Sequence, residues 1–169
     1  MDLSKLSPSD ATVALRGLER RYRGLFAGLD DDESPDDLAH RPAGGWSAIE
    51  HVVAAARAIA AADRSLAAVV TRDSPTVAPA DVDAAARPHP LAPSGPLHER
   101  LAELGFEANA LADRVRAVEA ADWTRTAVVG DGTGHTLTAL DIVRVAVDAG
   151  VSHLRDAEQV LKQVRGRPD

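Results

Sequence analysis

The sequence predicts an all-α protein, a four-helix bundle with one long proline-rich crossover loop. Four long segments repeat apolar residues at alternating spacings of three and four, the pattern of a helix that buries one face. Nine of the ten prolines lie between these segments or at their first positions, and the tenth, Pro168, follows the last segment, so none interrupts a helix. A chain of 169 residues is long enough for one hydrophobic core. We therefore expect a single helical domain over residues 1–169.

The helices are predicted over residues 8–29, 48–70, 96–121 and 137–165. Ser7 is placed to cap the first helix, with Pro8 at its first position. Ser47 and Glu50 have the spacing of a capping box, in which the hydroxyl and the carboxylate satisfy exposed backbone amides reciprocally. Thr136 or Thr138 is expected to cap the last helix.

One carboxylate breaks the pattern of the second helix. Glu50, Arg57 and Arg64 are predicted on its polar face, but Asp63 projects among the apolar residues. A carboxylate in that position needs a partner or water. Either it pairs with an arginine of a neighbouring helix, or it is a ligand or acid-base group inside the bundle.

Three connections between the helices are predicted to be loops. The acidic run at 30–37 is expected to be a solvated loop. Residues 71–95 form a crossover long enough to be a fixed strap or a mobile lid. Residues 123–135 are predicted to be an extended piece followed by a tight turn. The glycines of this last segment lack the βαβ context and the Gly-Lys-Ser/Thr sequence of a phosphate-binding loop.

Composition excludes several classes of function. The chain has no cysteine, so it has no disulfide and no thiolate ligand or nucleophile, which suits a reducing cytoplasm. The sequence predicts neither a signal peptide nor a membrane span, so we expect a soluble, cytoplasmic protein. With 26 acidic and 19 basic residues, the net charge of −7 argues against binding to nucleic acid.

Four motifs carry a resemblance to a known family. They are RPAGGWSAIEH at 41–51, DWTRT at 122–126, TLTALDIV at 136–143 and VSHLRDAEQVL at 151–161. Together they resemble the DinB-like superfamily of bacterial four-helix bundles over nearly the whole chain. The resemblance is closest to the branch with mycothiol-dependent maleylpyruvate isomerases and thiol S-transferases. The usage of alanine and arginine suits an actinobacterial source.

The resemblance implies a divalent metal held by three histidines, but two of those positions are alanine in this sequence. The family places one histidine eight residues after the tryptophan, where this chain has Ala54. It places an HxxxH pair in the last helix, where this chain has Ala149 and His153. The triad is therefore degenerate.

A smaller metal site remains as an alternative. His51 lies three residues before Ala54 on the same helix, and with His153 and a carboxylate it would supply two imidazoles and one oxygen, a known ligand set for zinc. The candidate carboxylates are Asp148 and Asp63. The pocket candidates are Trp46, Asp63 and Asp148.

Three functions follow as hypotheses. The first is a small-molecule-binding bundle with a largely lost metal site and no cofactor. The second is an S-transferase or isomerase that uses zinc or nickel and a low-molecular-weight thiol such as mycothiol. The third is a non-catalytic structural or interaction protein that forms a homodimer. The sequence identifies neither the ligand nor a catalytic residue.

Overall fold

The computed structural model describes residues 5–29, 38–42, 45–83 and 95–165. Within them lie four long helices, α1 (Pro8–Leu25), α2 (Ala48–Thr71), α4 (Leu97–Ala117) and α5 (Ala139–Arg165), and a short helix α3 (Pro79–Val82). A 3-10 helix spans Ala120–Thr124, and the strands are β1 (Thr76–Val77), β2 (Thr126–Val129) and β3 (Thr136–Thr138). The acidic loop predicted at 30–37 lies outside the described residues, as does 84–94 of the crossover.

The four long helices pack as a bundle whose order differs from the chain order. Helix α1 packs against α4 and α5, and α2 packs against the same two helices. The order around the bundle is therefore α1, α4, α2, α5, with the consecutive helices α1 and α2 at opposite corners. This arrangement makes α2 and α5 neighbours, which matters because the candidate histidines lie on these two helices.

The helix starts follow the predicted caps. Ser7 caps α1 with Asp10 and Pro8, and Ser47 caps α2 with Glu50. At the start of α5, the Thr138 hydroxyl accepts from the amide of Asp141, and the Asp141 carboxylate accepts from the amide of Thr138. Thr138, rather than Thr136, is thus the cap of the last helix.

Two helices end earlier than periodicity predicts. Helix α1 ends at Leu25 because the chain turns after Phe26 and Gly28 takes a left-handed conformation, with φ of 83°. Helix α4 ends at Ala117, and the predicted last turn is replaced by an extended Val118 and the 3-10 helix that follows. In both cases local turn geometry prevails over the apolar repeat.

A small sheet covers the end of α2 that lies away from its capping box. Part of the predicted crossover loop forms β1, which pairs in parallel with β2, while β2 and β3 form the antiparallel hairpin. Arg125 fixes this sheet to α2, because its guanidinium donates to the carbonyls of Val69 and Arg72 at 2.9 and 2.8 Å. The last carbonyls of a helix have no amide partner within the helix, so the arginine also caps α2.

Close approach of α1 and α5 fixes the position of the last helix. The Tyr22 hydroxyl donates to the carbonyl of Gly150 at 2.9 Å, and burial raises the pKa of Tyr22, which keeps this donor protonated. A Cβ at Gly150 would lie 2.8 Å from a Leu18 methyl group.

Among the described helices, none is both long and apolar enough to cross a membrane.

Candidate metal centre

The start of α2 and the middle of α5 bring three potential metal ligands together. His51 lies in the first turn of α2, directly after the capping box. His153 and Asp156 are three residues apart on α5, so their side chains lie on adjoining turns of one helical face. One donor atom from each of the three residues lies within 4.8 Å of the others. These residues could hold a metal ion.

The two histidine rings are in direct contact. The Nδ1 atoms of His51 and His153 are 3.1 Å apart. His51 is buried, His153 is half-buried and Asp156 is exposed, so the cluster runs from the interior of the bundle to its surface. In neutral imidazoles one ring nitrogen donates and the other accepts, so the rings can share a hydrogen bond at this distance. The same separation lets both nitrogens approach one cation.

Trp46 packs against both histidine rings. Its ring centroid is 5.5 Å from that of His153 with the planes nearly parallel, and 5.3 Å from that of His51 with the planes tilted. Trp46 immediately precedes the cap residue Ser47, so the start of α2 determines where the indole lies. The predicted pocket residue Trp46 therefore lies directly beside the cluster of three potential ligands.

An open pocket of about 440 Å³ lies beside the cluster. Its walls come from the segment before α2, from the first turn of α2 and from one face of α5. The lining residues are Pro42, Gly45, Trp46, His51, His153, Asp156, Gln159, Val160 and Gln163. Their side chains offer imidazole, carboxylate and carboxamide groups to a ligand.

Burial keeps His51 in the form that a metal requires. Loss of solvation is the largest effect on its pKa and lowers it, against the weaker opposing influence of the negative charges on Asp156 and Glu50. A neutral imidazole has a free lone pair, which is the electron donor in a metal-nitrogen bond. The site thus favours the ligating form of His51 at neutral pH.

The lowered pKa of His51 predicts a loss of stability in mild acid when metal is chelated. The unfolded chain binds the proton near the ordinary pKa of 6.5, whereas the folded chain does not until the pH is lower. The unfolded state is therefore favoured as the pH falls below about 6.5, by at most about 1.4 kcal/mol per pH unit. Urea unfolding in EDTA between pH 7.5 and 5 measures this slope. The slope should be smaller for His51→Gln, and equal slopes would remove His51 as its source.

Glu50 occupies a different environment from the one that periodicity predicts. Periodicity predicts it on the polar face of α2, but the side chain is fully buried, with 0% exposure. The reason is that residues 38–42 pack beside the start of α2 and supply Arg41 as an ion partner. Burial acts to raise the pKa of Glu50, but hydrogen bonds from Arg41 and Ser47 outweigh it and hold the pKa below its usual range.

The two aspartates proposed from the sequence lie apart from this pocket. Asp63 accepts two hydrogen bonds from Arg114 of α4, at 2.6 and 2.9 Å, so the ion-pair interpretation describes its contacts. It is twelve residues from His51, or about 18 Å along the helix. Asp148 is exposed on α5 and does not line the pocket. Ala54 and Ala149 are both buried.

Sequence reasoning missed Asp156. The four-residue spacing of the HxxxH pair leads back along α5 from His153 to Ala149, and the carboxylate beside Ala149 is Asp148. A forward step of three residues from His153 reaches Asp156, and side chains at that spacing are also neighbours on a helix. The signal was therefore present in the sequence, in the other direction along α5.

Comparison with known proteins agrees with the bundle architecture. Neither a protein-family model nor a curated protein sequence matches this chain. A solved structure does match: YfiT from Bacillus subtilis, described as a probable metal-dependent hydrolase with an unusual four-helix bundle topology. The match has a TM-score of 0.77 and covers 94% of this chain and 88% of YfiT, at 15% sequence identity. At that identity the likeness concerns the fold alone, and this chain has the four-helix bundle fold of YfiT.

Proposed function

We propose that this protein binds a small molecule at a divalent-cation site formed by His51, His153 and Asp156. The observation that carries the proposal is the convergence of their three donor atoms within 4.8 Å at the wall of an open pocket. Two imidazoles and one carboxylate suit zinc or nickel. The site replaces the three-histidine set that the sequence resemblance implies, since Ala54 and Ala149 donate nothing.

The pocket residues have distinct roles in this proposal. His51 contributes a buried, neutral nitrogen, and His153 contributes the second nitrogen from the facing helix. Asp156 adds a negative charge on the solvent side. Trp46 covers one side of the two rings and limits the access of water to them. Gln159 and Gln163, farther along the same face of α5, offer amide groups that can donate to or accept from a polar ligand.

A hydrolytic reaction is a second candidate function. A cation held at these donors would act as a Lewis acid and lower the pKa of a bound water. The observation that favours it is that the donors border open pocket volume, so three protein ligands leave room for water and substrate. YfiT, which shares the fold, is described as a probable metal-dependent hydrolase. The use of a thiol cofactor stays a prediction from the sequence resemblance.

Metal binding is expected to raise the melting temperature of the chelator-treated protein. At a free metal concentration one hundred times the dissociation constant, binding to the native state stabilises it by about 2.7 kcal/mol. For a chain of this size that corresponds to an increase in Tm of about 5–10 °C. Thermal unfolding with increasing zinc or nickel, after removal of EDTA, measures the shift.

Substitutions distinguish metal binding at this site from nonspecific metal binding elsewhere on the protein. His153→Ala and Asp156→Asn should each reduce the shift, because each removes one donor. His135→Ala is the matched control, since His135 is an exposed histidine in the β2–β3 turn at the other end of the bundle. A shift of equal size in His153→Ala and in His135→Ala would exclude this site as the origin of the stabilisation.

A further inference from the structure

We infer that Arg41 is a positioning residue of the pocket: its ion pair with Glu50 holds Trp46 against the two histidine rings. The inference deepens the proposed function, since it concerns the same pocket. Its main consequence is the location of an indole ring, which can be measured without any metal.

The first step is the ion pair itself. The Arg41 Nε atom donates to Glu50 Oε2 at 2.9 Å, and Arg41 Nη2 donates to Glu50 Oε1, so the guanidinium binds both oxygens of the carboxylate. Glu50 is fully buried, while about half of the Arg41 side chain, 48%, remains exposed. A buried carboxylate requires a charged or hydrogen-bonding partner. This bidentate contact also fixes the direction from which Arg41 approaches.

The second step is that Glu50 ties two parts of the chain together. Its Oε2 atom also accepts from the backbone amide of Ser47 at 2.7 Å, within the capping box. One carboxylate therefore holds both the first turn of α2 and the segment that precedes it. A further bond, from the Gly45 amide to the Pro42 carbonyl at 2.8 Å, turns the chain between these two anchors.

The third step is the position of Trp46 relative to these anchors. It lies between Gly45 and Ser47, so its backbone is fixed from both sides. From there the indole reaches His153 and His51 at centroid distances of 5.5 and 5.3 Å. Pro42, Gly45 and Trp46 all line the pocket, so the segment that Arg41 anchors is itself a pocket wall.

A simple capping role would not need Arg41. The capping box is complete with Ser47 and Glu50, and glutamine serves in the same motif without any charge. Arg41 therefore attaches the segment before α2 to Glu50, and it is not needed to form the start of the helix. That difference makes the positioning role testable.

The test uses Trp46 as its own reporter. The chain has two tryptophans, so Trp123→Phe leaves Trp46 as the fluorophore. In that background, Arg41→Met/Glu50→Gln removes the ion pair and keeps an amide oxygen for the capping box, which avoids a buried unpaired charge. The matched control is Arg114→Met/Asp63→Asn. It removes a bidentate ion pair between α4 and α2 that lies away from the pocket.

The readouts are the Trp46 emission maximum and its quenching by acrylamide in EDTA. We expect the Arg41/Glu50 variant to shift the emission to longer wavelength and to increase quenching, while the Asp63/Arg114 variant keeps the reference spectrum. Arg41→Lys, which keeps the charge but not the two-pronged contact, should lie between them. Reference-like emission and quenching in the Arg41/Glu50 variant, or equal changes in both double variants, would overturn the inference.

Zinc affinity distinguishes this inference from the proposed function. If both hold, the Arg41/Glu50 variant should bind zinc on the order of tenfold more weakly than the reference, as for other residues that orient metal ligands. If Trp46 moves but the reference protein binds no zinc, the positioning role stands and the metal proposal fails. If the reference binds zinc and Trp46 does not move, the positioning role fails and the metal proposal stands.

Discussion

Replacement of Leu18 by alanine is expected to lower the free energy of unfolding by about 2–5 kcal/mol. Leu18 is fully buried on α1, and its side chain fills the space left by Gly150 on α5. The substitution leaves a cavity between the two helices, because the hydrogen bond from the Tyr22 hydroxyl to the Gly150 carbonyl holds the helices at their present separation. Urea unfolding of the wild type and the variant measures the difference.

Gly150→Ala provides an internal control for this packing. In the wild type its Cβ would lie 2.8 Å from Leu18 Cδ1 and 3.7 Å from Ile59 Cδ1, so the gain in helix propensity of about 1 kcal/mol is opposed by crowding. In the Leu18→Ala background the first contact disappears, and Gly150→Ala should become stabilising. If its effect were the same in both backgrounds, Leu18 and Gly150 would not be coupled.

Arg41→Met alone is expected to lower the free energy of unfolding by about 3 kcal/mol. It leaves the fully buried carboxylate of Glu50 without its charged partner, and the capping amide of Ser47 cannot replace a guanidinium. The value lies at the lower end of the range for breaking a buried ion pair, since half of the Arg41 side chain already contacts solvent. Chemical denaturation at pH 7 gives the measurement.

The second substitution identifies the cause of this loss. Adding Glu50→Gln to Arg41→Met removes the buried charge, so the double variant should be more stable than Arg41→Met alone. A double variant that is less stable than the single one would show that the carboxylate is stabilised without Arg41.

Local sequence signals predicted the framework of the bundle because they act within one turn of a helix. Ser47 and Glu50 form the predicted capping box, and Thr138 is one of the two predicted caps of the last helix. The position of Asp63 on the apolar side of α2 correctly indicated that it needs a partner, which is Arg114. The caps join residues that are three positions apart in the sequence. For Asp63, the prediction needed only the rule that a carboxylate on an apolar helix face must have a partner.

The site depended on contacts that one helix cannot encode. His51 and His153 are 102 residues apart, and their 3.1 Å contact follows from the rotation and height of α2 relative to α5. Those are set by packing between the two helices away from the site, such as the approach of Ile59 on α2 to Gly150 on α5. The burial of Glu50 likewise required residues 38–42 to pack against α2, which the periodicity of α2 does not contain.

The metal content of the purified protein tests the central claim most directly. The protein is stripped with EDTA, loaded with zinc or nickel, dialysed and analysed for bound metal, with His153→Ala and His135→Ala treated in parallel. We expect close to one metal per chain in the wild type and in His135→Ala, and much less in His153→Ala. A wild type that retains no metal, or a His153→Ala variant that retains as much as the wild type, would contradict a cation site at His51, His153 and Asp156.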